Sequence, residues 1–65
     1  MNGSRKRVSG TLSKGRRGLI LTTDDCELWV IDTEDDVGEL LDRRVVAEGT
    51  PAGLDRLRAD WIGAA

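Results

Sequence analysis

The sequence predicts a mainly β fold, a small five-stranded barrel with one short helix between the third and fourth strands. Three observations carry that expectation. Stretches that alternate or run apolar are separated by clusters of glycine, aspartate and serine, as strands bounded by turns are. The period changes to a helical one near residues 33 to 41, where apolar residues fall three and four apart. Four strands in an open meander would leave two unpaired edges and an uncovered core, so a fifth strand is needed to close the sheet.

The elements follow in order. Residues 1–6 are polar, with Gly3 and Ser4, and read as a flexible basic arm, leaving 7–63 as a single domain. Val8, Gly10 and Leu12 alternate with Ser9 and Thr11 to give a first strand. "SKGRRG" is a turn, "LILTT" a second strand and "DDC" the next turn. "ELWVID" is a third strand, apolar on both faces through Leu28 and Val30 on one and Trp29 and Ile31 on the other.

Thr33 suits a helix N-cap, and Glu34, Asp35 and Asp36 fill the first turn, where the helix dipole favours negative charge. Val37, Leu40 and Leu41 then form one apolar stripe, so a helix is expected near residues 34–41, kept short by Gly38. "RRVVAEGT" returns to alternation with Val45, Ala47 and Gly49 on one side, and "TPAG" is a turn around Pro51.

The last stretch, "LDRLRADWI", supports two structures. Leu54, Leu57, Trp61 and Ile62 fall at helical spacing, whereas Leu57, Ala59 and Trp61 alternate as in a half-buried strand. Leu, Arg and Ala favour the helix locally, and the edge argument favours the strand. The expected core is Leu12, Leu19, Leu21, Leu28, Val30, Leu40, Val45, Leu57 and Ile62. One or both of Trp29 and Trp61 should line or plug a barrel end.

Composition narrows the class. The chain of 65 residues suffices for one domain, and 38% hydrophobic with 34% charged residues suits a folded chain. No apolar run approaches the ~18 residues of a membrane span, so no membrane partner is expected. "MNGSRKR" carries no apolar stretch and is not a secretory signal. Cys26 is the single cysteine and has no internal partner, which makes the cytoplasm the default location. The net charge of −2 hides an asymmetry: residues 1–17 hold six bases and no acid, and residues 18–42 hold nine acids and no base. Those segments either steer a polyanion or neutralise each other across adjacent hairpin strands, and the second is the simpler expectation.

Chemistry is poorly supplied. There is no histidine or tyrosine, and Cys26 has no base beside it, so no enzymatic activity is expected; Cys26 reads as a buried small hydrophobe. Asp32, Glu34 and Asp36 are spaced like the first ligands of a calcium loop. However, Val37 stands where that loop needs glycine and Arg43 where it needs glutamate. No metal and no cofactor are expected. "GRRG", residues 15–18, matches a Gly-x-x-Gly clamp for nucleic-acid backbone, but that clamp joins helices. Here the flanks are strand-like, and a hairpin needs glycine anyway.

"VSGTL", "LWVID", "RRVVAEGT" and "DRLRADWI" together resemble a family of small bacterial domains of unknown function with an OB-like (oligonucleotide/oligosaccharide-binding-like) barrel. The matching residues are Ser9, Gly10 and Thr11; Trp29, Ile31 and Asp32; Val45, Ala47, Gly49 and Thr50; and Leu57, Ala59 and Ile62, spread over residues 7 to 62. Two departures stand out: Asp42 falls where that family usually has glycine, and Ala47 replaces a larger branched residue. The resemblance implies that residues 54–62 are extended, and it implies no activity. It also implies relatives that are exported or lipid-anchored, through a leader this sequence does not write.

In such a barrel the loop joining the first two strands lies beside the binding face, which makes Lys14, Arg16 and Arg17 the ligand-binding candidates, with Arg5, Lys6 and Arg7 of the arm within reach. Three functions follow. The first is a non-enzymatic OB-like binding module for a protein, peptide or small anion. The second is a weak single-stranded nucleic-acid binder using the arm and hairpin loop, short of stacking groups because only Trp29 and Trp61 are aromatic. The third is a homodimer or assembly protein that pairs through an exposed edge strand.

Overall fold

Inward-facing residues alternate along the first strand from Val8 through Gly10 to Leu12, all buried, and that period-2 pattern sets the architecture. In the computed structural model, which describes residues 5–65, the strands are β1 (Lys6–Gly15), β2 (Gly18–Thr23), β3 (Leu28–Asp32), β4 (Arg44–Pro51) and β5 (Arg56–Ala64). They form a closed barrel in the order β1-β2-β3-β5-β4. β4 pairs back onto β1, β3 and β5 run parallel, and the other pairs are antiparallel. The stretch around Leu57 is therefore extended and closes the ring, as the edge argument requires.

The interior is layered by cross-strand pairs. Leu12 stands opposite Leu21, Leu19 opposite Ile31, and Ile31 in turn beside Leu57. Leu12, Leu21, Val45 and Leu57 are fully buried, with Ala47 between the larger side chains. Of the expected core, Val30 is also buried, while Leu19, Leu40 and Ile62 are half-buried against the cluster. Leu28 is the exception at 58% exposure. The third strand turns its other apolar face inward: Trp29 and Ile31 pack on the core, and Leu28 and Val30 share the outer face. Two apolar faces on one strand leave the choice to register.

The helix expected over residues 34–41 reduces to a single 3-10 turn, Gly38–Leu40. The reason is local competition. Thr33 Oγ1 accepts the Asp35 amide, the bond an N-cap makes, but Asp36 Oδ1 takes the Gly38 amide that a helix would give to the Glu34 carbonyl. Val37 is still buried, and Leu40 and Leu41 pack beside it, so the apolar stripe plugs one barrel end without a helix. Asp42 leaves this segment with φ 65, the left-handed region that glycine or aspartate tolerates.

Other expectations are corrected at the termini and turns. Residues 1–4 of the expected flexible arm lie outside the described residues, while Lys6 already belongs to β1 and Arg5 is ion-paired to Asp60. Cys26 is exposed, at φ 66 in the β2–β3 turn, and is not a core residue. β5 carries a bulge: Glu48 faces Trp61 but Gly49 faces Ala59, so Asp60 is the extra residue. That extra step turns Trp61 outward, 49% exposed, and Ile62 inward. Trp29 fulfils the aromatic expectation near a barrel end, with the Lys6 ammonium 5.3 Å from its ring centroid.

Two glycines set the closeness of the strands. A Cβ at Gly10 would land on the Thr22 carbonyl, and one at Gly49 on the Arg58 carbonyl. Gly49→Ala is expected to destabilise at or above the ~3 kcal/mol upper end of ordinary overpacking costs. Leu57→Ala should cost roughly 2–5 kcal/mol and Leu28→Ala less than about 0.5 kcal/mol, read by urea denaturation. Equal costs for the two leucines would contradict the inward assignment of Trp29 and Ile31.

Candidate functional site

The loop bearing the sequence-predicted site is a two-residue hairpin. Gly15 pairs with Gly18, leaving Arg16 and Arg17 at the tip. Neither arginine has a positive φ, and Gly18 at φ 110 takes up the twist. Arg17 does not project freely. Its Nη1 donates to Asp55 Oδ2 at 2.8 Å and its Nη2 to Oδ1 at 3.3 Å, a bidentate pair that joins the β1–β2 hairpin to the β4–β5 loop. The guanidinium holds the Asp55 carboxyl below its ordinary range. Lys14 and Arg16 are exposed and make no ion pair among the described residues.

The arm does not reach this loop. Arg5 donates to both oxygens of Asp60 at 2.6 and 2.8 Å, Arg7 approaches Glu48, and Lys6 covers Trp29. These groups stand at the start of β1, and Lys14 is near its end. Nor do the basic and acidic segments neutralise each other across the hairpin. The ion pairs of Arg5, Arg7 and Arg17 go to Glu48, Asp60 and Asp55. Among the described residues, Asp24, paired with Arg44, is the acid of residues 18–42 that finds a base. The pairing is set by barrel closure, which lays β4 and β5 beside β1.

Between the two linked loops lies the outer face of β2 and β3. By register, one row across it is Ser13, Ile20, Val30 and Arg56, and the next is Thr11, Thr22 and Leu28. Charge enters at its margins: Arg56 beside Val30 on β5, then Arg16, Asp32 and Arg58 beyond the Ile20 row, and Asp24, Asp25 and Glu27 in the β2–β3 turn at the other end. Leu28 is 58% exposed and Leu54, on the β4–β5 loop, fully so. Trp29 points inward and Trp61 lies over β4, so neither aromatic stands on this face. Sequence reasoning missed Leu28 and Arg56 as site residues, because the inward choice of β3 turns Leu28 out beside Thr22 and the β3–β5 register brings Arg56 into the Ile20 row.

A second concavity, about 460 Å³, opens where β3 ends. Asp32, Glu34, Asp35 and Asp60 line it with Thr50 and Arg58, so its carboxylates repel an anion. Among the described residues, no group of three histidine, cysteine or carboxylate side chains is arranged to hold a metal ion. No helix among them is long and apolar enough to cross a membrane.

A small closed β-barrel with two loops tied over one outer face is the class of protein these features define. The chain belongs to the family described as "Protein of unknown function (DUF5818)", which matches residues 9–65. No curated protein and no solved structure matches it. The family match takes in β1 from Ser9 onward and every later strand, including all three residues first singled out, Lys14, Arg16 and Arg17.

The loop tie has a titration signature. Because the folded Asp55 value is lowered, the tie holds above the unfolded value of ~3.9 and weakens as acid carries the pH down through the lowered value. Carboxyl ¹³C shifts of Asp55 should therefore titrate below ~3.9 in the native chain, and the midpoint should rise in Arg17→Gln. An unmoved midpoint in the variant would show that Arg17 does not hold the loop in solution.

Proposed function

We propose that the protein is a non-enzymatic, OB-like binding module whose outer β2–β3 face, flanked by the β1–β2 and β4–β5 loops, takes a protein surface or segment. The strand order, the parallel β3–β5 pair and the plug between β3 and β4 support the OB-like reading. In that architecture the strand 2–3 face and those two loops form the recognition surface. The observation that carries the proposal is the makeup of the face: an uncharged centre with Ile20 and exposed Leu28, bounded by the unpaired cations Arg16 and Arg56. Aliphatic side chains beside fixed charge suit a protein partner, which offers both.

Single-stranded nucleic acid is the weaker reading. Lys14, Arg16 and Arg56 favour it, but base recognition without sequence preference leans on aromatic platforms, and neither tryptophan is on the face. Edge-strand assembly loses its premise, because each of the five strands has two neighbours. With no histidine in the chain, general acid–base work near neutral pH lacks its usual group.

A labelled protein titrated with two probes separates these readings: a short peptide of leucine and glutamate, and a short single-stranded oligonucleotide, both at ~50 mM salt, where phosphate contacts are strongest. The peptide should shift the amides of Arg16, Ile20, Leu28 and Arg56, and the oligonucleotide should leave them in place. Salt-dependent oligonucleotide shifts on those residues would replace the protein reading with the nucleic-acid one. Peptide shifts confined to other faces would remove the face from the proposal.

A further inference from the structure

The outer β2–β3 face is polarised along its strands. Arg16, Arg56 and Arg58 stand toward the end where β2 begins, with Asp32 opposite Arg58 the acid among them, and Asp25 and Glu27 stand at the end where β2 turns into β3. None of these six makes an ion pair among the described residues. Between the ends lies the uncharged strip of Thr11, Ser13, Ile20, Thr22 and Leu28. A wholly acidic segment laid along this face meets attraction at one end and repulsion at the other. A surface with the opposite polarity meets attraction at both. The same face on another copy, turned end for end about a two-fold axis through its centre, has that polarity.

We infer that the face pairs with itself, so that the partner is a second copy of this chain in an isologous two-fold dimer. The inference rests on the proposed binding role of this face and names its occupant. Under the two-fold, Arg16 of one copy meets Asp25 of the other, and the reciprocal contact forms at the far end, as an isologous interface requires. Leu28 of each copy then lies toward Ile20 of its partner, across the axis. Laid parallel instead of end for end, the two faces would set like ends together, so the charges also fix the orientation.

Size sets the strength. Four strands at ~4.8 Å spacing and about six residues at ~3.3 Å give a patch of roughly 15 × 20 Å. That is well below the ~800 Å² per partner of a standard stable interface, so the dimer is weak and reversible, and it forms at high micromolar to millimolar concentration. Its charge pairs are at the rim, so salt weakens it.

Sedimentation velocity of the full chain in reducing buffer, which keeps the exposed Cys26 from forming a covalent dimer, tests this from ~10 µM to ~1 mM in ~50 and ~500 mM salt. A monomer–dimer equilibrium is expected, at least several-fold weaker at the higher salt. Arg16→Glu and Asp25→Arg should each abolish it, and an equimolar mixture of the two should restore it, since both contacts then regain opposite signs. Circular dichroism should show both variants folded, both sites being exposed. A monomer throughout, or a mixture that stays monomeric, would overturn the dimer; face shifts with the leucine–glutamate peptide would still leave the binding role standing. Dimers whose affinity neither variant changes would assign self-association to another surface and overturn the inference.

Discussion

A barrel of five strands has almost no lumen, and the whole structure depends on how the chain meets that limit. β1 is shared between two neighbours: it pairs with β4 from Lys6 to Thr11 and with β2 from Gly10 to Gly15. Gly10 lies in the overlap, where the strand must pass from one partner to the other and coil sharply. A side chain there would strike the Thr22 carbonyl. Gly49 solves the same problem in β4, beside the Arg58 carbonyl and the β5 bulge. With those two positions empty, Leu12, Leu21, Val45 and Leu57 fill the remaining volume completely. Ala47, also fully buried, adds little volume to that layer.

Closure also decides which charges meet. A meander would have set the basic first hairpin against the acidic middle of the chain. The ring instead lays β4 and β5 on the free side of β1, so Arg5 and Arg7 find Asp60 and Glu48, and Arg17 finds Asp55. The carboxylates around the β3–β4 loop are left to solvent and to the amides of their own turns. The Arg17–Asp55 pair is exposed and worth little as general stability. Its consequence is geometric, because it fixes two loops relative to each other over one face.

How much of this was legible in the sequence differs by element. The alternating strands were legible, because burial on one face writes period 2 directly, and Val45, Ala47 and Gly49 are buried as a set. β5 was legible only through closure: its local composition favours a helix, and tertiary pairing overrides that preference. The inward face of β3 was not legible, since Leu28/Val30 and Trp29/Ile31 are equally apolar. The helix over residues 34–41 failed because Thr33 and Asp36 can cap a helix or form short side-chain turns, and Gly38 tips the balance toward turns. Lys14, Arg16 and Arg17 were readable as a basic loop. That Arg17 is spent on a residue 38 positions away was not, because it depends on the β3–β5 register.

The β5 bulge shows how one inserted residue divides the surface into faces of different character. Without the bulge, with Asp60 in regular alternation, Trp61 would follow Leu57 and Ala59 into the barrel interior, where Ile62 now stands opposite Ala47. The extra residue sends Trp61 out over Gly63, where its ring lies close to the glycine backbone, and gives Arg5 its carboxylate partner. The one outward aromatic is thereby committed to the β4–β5 side, next to Glu48. The β2–β3 side is left with aliphatic side chains, hydroxyls and charges at its ends. Chemistry of that kind selects a partner by shape and charge sign rather than by stacking, so the bulge that solves a packing problem also decides what the opposite face can recognise.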